Sequence, residues 1–360
     1  LVAVAAAAWL WRASAGGDRG YVPLPADLRH RVRVVEPVPG GYVAALANPS
    51  ALVRIAADGT PVGSPLPLPG EPAALHHTLR SDGRLFVYAA TRGASSVVLV
   101  DGETWTPRDT FPLAPRRIVA SGGPGRVSSE IRSVALASGR IWVVTGGGGG
   151  RPALLRLGWE GEGEWGKPQG EYHWVELALP GPTPADVRLR TQRRQFLFVV
   201  AAGRARSPLY SVHGDAPHVD ATAVTADSFS VACTHDLAES VDHTFFLLSC
   251  DGTLDEAGVD VDEFFGVRTV AALPLERDPS LWTDELIAAD SAAVFVALSR
   301  YRASDGRPAR ATILRVAHGA ATPLAEVRRA AVTSLAATPR QVIAVLRRAN
   351  GKTDAIAIPR

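Results

Sequence analysis

Seven strongly apolar segments recur along this 360-residue chain. They begin at Tyr42 (YVAALANP), Leu85 (LFVYAATRG), Ile141 (IWVVTGGGG), Phe196 (FLFVVAAGR), Thr244 (TFFLLSCDG), Ala293 (AVFVALSRY) and Val342 (VIAVLRRANG), and successive starts lie 43 to 56 residues apart. A strand buried on both faces reads as a continuous apolar run. The flanks repeat as well. A second strand follows (ALVRIAADG, SSVVLVDG and ATILRVAHG are examples), and then a looser one that often carries Leu-Pro (VGSPLPLPG, TFPLAP, WVELALPG). Before each apolar segment stands a further candidate: RVRVVEP, AALHHTL, IRSVALA, DVRLRTQ, FSVACTH, DELIAAD or AVTSLAA. Helical periodicity is nearly absent after residue 20.

Four short strands in a unit of about 40–50 residues is the size of a propeller blade. Over about residues 20–360 the chain resembles the seven-bladed β-propeller superfamily in its broad YVTN, NHL and quinoprotein-like sense. The resemblance rests on period and strand pattern. The Gly-His and Trp-Asp pairs of WD repeats and the double glycines of kelch repeats are missing, and VLVDGETW (Val98–Trp105) is a single, wrongly spaced fragment of an Asp-box or quinoprotein motif. The resemblance implies an all-β fold of seven four-stranded antiparallel blades whose first strands line a central channel. Propellers host binding modules, scaffolds, hydrolases, lyases and oxidoreductases, so the fold alone carries little functional weight.

The last segment, DAIAIPR, is then the third strand of its unit, and a fourth is lacking after it. An uncovered strand edge invites aggregation. The surplus lies at the other end: GYVPLPADL (Gly20–Leu28) carries the Leu-Pro signature of the outer strands. The expectation is that residues 20–28 complete the last blade and join the two termini.

The first residues, LVAVAAAAWLW, are apolar for eleven positions, too few to span a bilayer. Ala13-Ser14-Ala15 has the small-x-small form of a signal-peptidase site. Residues 1–19 therefore read as a truncated signal peptide, or as a membrane anchor and linker, with residues 20–360 exported. The alternative, a buried N-terminal helix, has no amphipathic period to support it. Cys233 and Cys250 are the two cysteines. Symmetric pairing about a turn near Glu239–His243 sets them opposite each other, and a disulfide there fits an oxidising compartment. Two buried free thiols are the alternative.

Charge excludes one class of partner. Lys+Arg number 38 and Asp+Glu 36, a net +2, so no general field draws nucleic acid. TGGGGGR (Thr145–Arg151) lacks the GK[ST] and the following helix of a phosphate loop and reads as a hairpin loop. RLRTQRRQ (Arg188–Gln195) reads as a solvated turn. CDGTLDEAGVDVDE (Cys250–Glu263) reads as an acidic exposed hairpin. GWEGEGEWGKPQGEYHW (Gly158–Trp174) offers aromatics for a partner-binding edge. HExxH, GxSxG and a nucleophile triad are absent, so the catalytic groups are unknown, and neither cofactor nor metal is indicated.

Aligned from their turns, the inner strands place polar residues at similar depth: Arg33, His76 or His77, Arg132 or Ser133, Arg188, Thr234 or His235, Asp284 or Glu285, and Thr333 or Ser334. Alternation lets one of each adjacent pair face the channel. The site expected is Arg33, His77, Arg188, His235 and Glu285. Its arginines suit an anionic group, and its histidines with a carboxylate suit proton transfer. The function expected is a binding or scaffold module at the cell envelope, for a protein or small-molecule ligand, with possible attachment to the membrane through the N-terminus. The alternative is a hydrolase or lyase with its site at the channel mouth.

Overall fold

The computed structural model describes residues 20–113, 130–137, 139–146, 152–159, 172–177, 187–192, 196–201, 209–212, 221–223, 225–226, 233–240, 244–260, 263–274, 278–290 and 292–360. Among them the chain is all β, apart from one helical turn at Ala26–Arg29. The strands form six four-stranded antiparallel sheets and one five-stranded sheet, and together they make a propeller. Among the described residues no helix is long and apolar enough to cross a membrane.

Burial within a sheet follows the apolar repeat. In the first sheet the inner strand Val32–Val38 is followed by Gly41–Leu46, buried at every position. The outermost strand, Pro61–Pro67, is exposed almost throughout. The second sheet repeats this gradient, from the buried Leu85–Arg92 to the exposed Thr106–Pro112. A strand between two others in one sheet, with a neighbouring sheet on either face, meets apolar side chains on both sides. Neighbouring sheets accordingly share cores. Val43 and Leu52 of the first pack with Leu75 and Val87 of the second. Tyr42, Leu46 and Ile55 of the first also pack with Ala336, Ile343 and Val345 of the last.

The turns have a local cause. Asp58, Asp82, Asp251, Asp305 and Asn350 each accept the backbone N–H two residues on, at 2.9–3.1 Å. This is the Asx turn, which competes with the ladder and ends it. A glycine follows each of them. Gly59 and Gly351 show why, with φ of +90° and +80°, a region open to glycine at no steric cost.

Three expectations are corrected. First, six sheets have the four-stranded antiparallel form, and the fifth in chain order does not. There Thr225–Ala226 adds a parallel strand to the outer edge of Glu263–Ala272. That ten-residue outer strand presents a long free edge, which the connection arriving from the fourth sheet can cover. Second, the N-terminal segment pairs over only part of residues 20–28. Val22 and Pro23 lie opposite Ala357 and Ile356, and the Leu24 amide donates to the Ala355 carbonyl. The chain then leaves the ladder because Pro25 has no N–H to give. The Leu28 and Arg29 amides instead donate to the Pro25 carbonyl as a helical turn. Third, the acidic run after Cys250 is not uniformly exposed. Asp255 is buried and accepts from Thr269 Oγ1 at 2.8 Å, and burial raises its pKa.

Behind the N-terminal strand, Asp354 ties the two ends of the chain. It is buried and accepts from Arg29 Nε at 2.6 Å and from Arg348 Nη2 at 2.7 Å. Burial alone would push its carboxyl up, but the hydrogen bonds from Arg29 and Arg348 hold it below the usual range. Asp354→Asn is expected to cost roughly 1–3 kcal/mol at neutral pH, less than a fully buried pair because both arginines are partly exposed. A depressed folded pKa stabilises fully above the unfolded value of about 3.9 and is lost as pH falls through the folded pKa. The gap between parent and variant in urea unfolding should therefore close below about pH 4. A gap absent at neutral pH, or unchanged in acid, would contradict this role.

Candidate functional site

Each inner strand begins on the face where the chain arrives from the preceding sheet. Arg33, Arg188 and His235 are second in the strands Val32–Val38, Val187–Gln192 and Thr234–Glu239. Asp284 and Glu285 fall mid-strand in Leu281–Ala289. His77 comes late in Glu71–Leu79 and lies nearer the opposite face.

Three of the expected residues meet in one network. Arg188 Nη2 donates to both carboxylate oxygens of Asp284 at 2.8 Å, and Arg188 Nη1 donates to the Glu285 carbonyl at 2.9 Å. His235 Nδ1 is bonded to Glu285 Oε2. Since a carboxylate accepts, Nδ1 is the donor in this bond. Arg188, on the fourth sheet, thus reaches past the fifth to the sixth. The side chains involved are between 9% and 17% exposed, so the network is dry enough for its charges to attract strongly.

The remaining two expected residues are engaged elsewhere. His77 Nδ1 lies 2.8 Å from Glu36 Oε1 on the first sheet. Arg33 donates to the His30 carbonyl at 2.9 Å and lies 3.6 Å from Glu71.

Strict alternation fails here for a stated reason. The inner strands skip register between Val32 and Val34, Ile131 and Ser133, Thr234 and Asp236, and Val332 and Ser334. Such a bulge re-aims successive side chains. His235 therefore serves the sixth sheet while Asp236, fully buried, takes Arg190 Nε and Nη2 at 2.8 and 2.9 Å from the fourth. Asp236 Oδ2 also accepts the Ile287 amide at 3.1 Å. The sequence reading left Asp284 open and did not single out Asp236, Arg190, Glu36 or Tyr301. The available signal was a carboxylate next to an expected site residue: Asp236 directly follows His235, and Asp284 directly precedes Glu285.

Tyr301 completes the neighbourhood. It stacks on Trp282 with ring centroids 4.2 Å apart. Its phenol is raised by burial first and then by the charge of Asp284, with Arg347 and Arg188 opposing, so it stays a proton donor at neutral pH. Thr234 Oγ1 and Thr283 Oγ1, adjacent in sequence to His235 and Asp284, are buried without a hydrogen-bond partner among the described residues.

Beside His235 stands the disulfide. Cys233 and Cys250 are bonded, with Cα atoms 5.4 Å apart, and the Cys250 amide donates to the Cys233 carbonyl at 3.0 Å. A ring nitrogen of His235 and the two sulfurs lie within 4.8 Å of one another. Thiolates are the metal ligands, so the oxidised pair offers no such set. The bulk of the GWEGEGEWGKPQGEYHW insertion, the glycines after Gly146 and the end of the RLRTQRRQ turn lie outside the described residues, as do residues 1–19.

Among solved structures the chain is similar to the β-propeller domain of Cps50 (Swd1) from Myceliophteria thermophila. The TM-score is 0.53 and the identity 11%, covering 90% of this chain and 96% of that one. It is also similar to an extracellular domain from B. thetaiotaomicron, with a TM-score of 0.50 and 11% identity, covering 94% of this chain and 42% of that one. The shared feature is the fold. No family model matches the chain, and no curated protein does.

The disulfide closes a loop with a sequence separation of 17, for which restriction of the unfolded chain amounts to about 3 kcal/mol. Replacing both cysteines by serine should lower the unfolding free energy by that order. Protein from its native compartment should show no thiol when denatured, and two titratable thiols there would rule out the pairing.

Proposed function

We propose that this chain is an extracytoplasmic, seven-bladed propeller acting as a binding module, whose ligand or partner is recognised over Arg188, His235, Asp284 and Glu285. The five-stranded sheet is the remaining blade, and the Val22–Pro23 strand closes the ring. Closure is supported by the pairing of that strand with Ala357 and Ile356 and by the core shared between the first and last sheets. Deleting Gly20–Leu28 should then lower the melting temperature of the whole domain, since a closing strand matters to every sheet. An unchanged melting temperature would rule closure out. Export is supported by the Cys233–Cys250 disulfide.

The observation that carries the binding reading is the convergence of three inner strands on one largely buried network beside the two threonine hydroxyls that have no partner among the described residues. Buried polar groups are paired in nearly all native structures, and those that are not call for a ligand or an ordered water. The carboxylates of Asp284 and Glu285 are each engaged by a basic partner. That arrangement sets the shape and polarity of a recognition surface and leaves no free nucleophile.

The second reading, a hydrolase or lyase, rests on the His235–Glu285 pair, which resembles the oriented base of an acid–base site. The double variant Arg188→Ala/Glu285→Gln separates the two. Affinity capture from cell-envelope extract should retain a partner on the parent and lose it on the folded variant. An identical set captured by both would exclude the channel mouth as the recognition site. Turnover of an ester or polysaccharide substrate by the parent, lost in His235→Ala, would favour the enzyme.

A further inference from the structure

A separate cavity of about 890 Å³ lies where the sixth and last sheets meet the segment entering the first. Its walls are the turn 302–309, the link 328–329 and the turn 348–354, closed by Arg29 and His30. The two turns join second to third strands, and the link joins an outer strand to the next inner strand. In antiparallel sheets all such connections fall on one face, which is also where the inner strands begin.

Seven cationic side chains and one carboxylate line this cavity. The carboxylate, Asp354, is already engaged by Arg29 and Arg348. Arg302 and Arg307 share Asp305, at 2.9 and 3.8 Å. Arg329 and Lys352 are exposed and make no side-chain hydrogen bond or ion pair among the described residues. Positive charge thus exceeds negative by a wide margin in a chain whose total is only +2.

The cavity is also built. Arg329 has φ of +52°, a region that side chains other than glycine rarely adopt. Its amide donates to the Ala309 carbonyl at 2.8 Å, and its carbonyl accepts the Ala349 amide at 2.7 Å. One strained arginine is therefore locked between both turns. Each turn is closed on itself as well, by the Arg302 amide on the Arg307 carbonyl at 3.0 Å and by the Arg348 amide on the Lys352 carbonyl at 2.8 Å. Strain held in place by surrounding structure gathers at ligand clamps. Guanidinium groups match the oxygens of phosphate in bidentate fashion.

We propose that this cavity binds a ligand carrying more than one phosphate group, held by Arg307, Arg328, Arg329 and Lys352. The same chemistry is found in a soluble polyphosphate compound and in a lipid headgroup that carries several phosphates. The test is titration calorimetry of the full chain with inorganic phosphate, pyrophosphate and tripolyphosphate at about 150 mM salt, where charges more than about 8 Å apart are screened. A parallel arm measures sedimentation with phosphatidylcholine vesicles containing a phosphatidylinositol bisphosphate.

Affinity should rise from phosphate to tripolyphosphate at one site per chain. It should fall at least about tenfold in Arg329→Ala/Lys352→Ala, as expected when charge-assisted contacts are removed, with the melting temperature retained. Should that variant fail to fold, Arg307→Gln on the exposed turn gives the same readout. Vesicle binding lost in the variant, without soluble binding, assigns the lipid source, and soluble binding alone assigns the free compound. Absence of both, or binding that the variant retains, would overturn the proposal. Neither outcome touches the channel-mouth reading, which rests on different residues.

Discussion

Among the described residues every inner strand has one edge that no strand covers, and the fold depends on how those edges are satisfied. A buried backbone N–H left without a partner costs about as much as a lost hydrogen bond. The solution is a side chain from the neighbouring sheet. Ser334 Oγ accepts the Val35 amide, Ser133 Oγ the Leu189 amide and Asp236 Oδ2 the Ile287 amide, each at 3.1 Å. Glu36 Oε1 does the same for the His77 amide at 3.3 Å. Ser133, Asp236 and Ser334 each come immediately after a skipped residue in the register. The bulge is what turns a polar side chain sideways into the next sheet, where an unbroken strand would present it to one face or the other.

This stapling explains why charge sits so close to the axis of an otherwise apolar assembly. Asp236 is fully buried, yet its carboxylate takes two guanidinium donors and a backbone amide. A buried charge with that many donors is compensated, whereas removal of one partner would strand the other in a low dielectric. Arg188, Asp284, His235 and Glu285 extend the same device one residue further along the strands. What began as a way of joining edges becomes a convergent polar surface beside two hydroxyls that have no hydrogen-bond partner among the described residues.

The parts of the fold that were legible in the sequence are those that burial writes into a single strand. The apolar segments from Tyr42, Leu85, Ile141, Phe196, Thr244, Ala293 and Val342 all fall on second strands, because a strand covered on both faces has no room for polar alternation. The paired cysteines were legible through hairpin symmetry. The parallel strand Thr225–Ala226 was not, since two residues carry no periodicity. Nor was the pairing of Arg188 with Asp284, which spans 96 positions and skips a sheet. Leu281–Ala289 pairs in unbroken register, and Asp284 and Glu285 both join the network because Arg188 and His235 reach it from different sheets, so alternation could not choose between them. The extent of the N-terminal strand was misjudged for a more readable reason. Pro23 and Pro25 remove two donors from the ladder, and the pairing ends where they do.

Net charge misleads in the same way as alternation, because both are averages over things the fold separates. A near-neutral total argues against a general attraction for polyanions, and that argument holds for the molecule seen from a distance. Close to the surface the field is set by what lies within roughly 8 Å, beyond which salt screens it. In the network of the inner strands Arg188 faces Asp284, so the local field is small and directional. In the cavity between the sixth and last sheets, residues from positions 29, 302, 328 and 348 are brought together with one carboxylate among them. These positions are scattered through the chain, each ordinary in its own turn. Arg302, Arg328 and Arg348 come together where the sixth and last sheets adjoin, and the segment entering the first sheet adds Arg29. The same contact between the termini that covers the last strand's edge therefore also brings a further cation to this concavity.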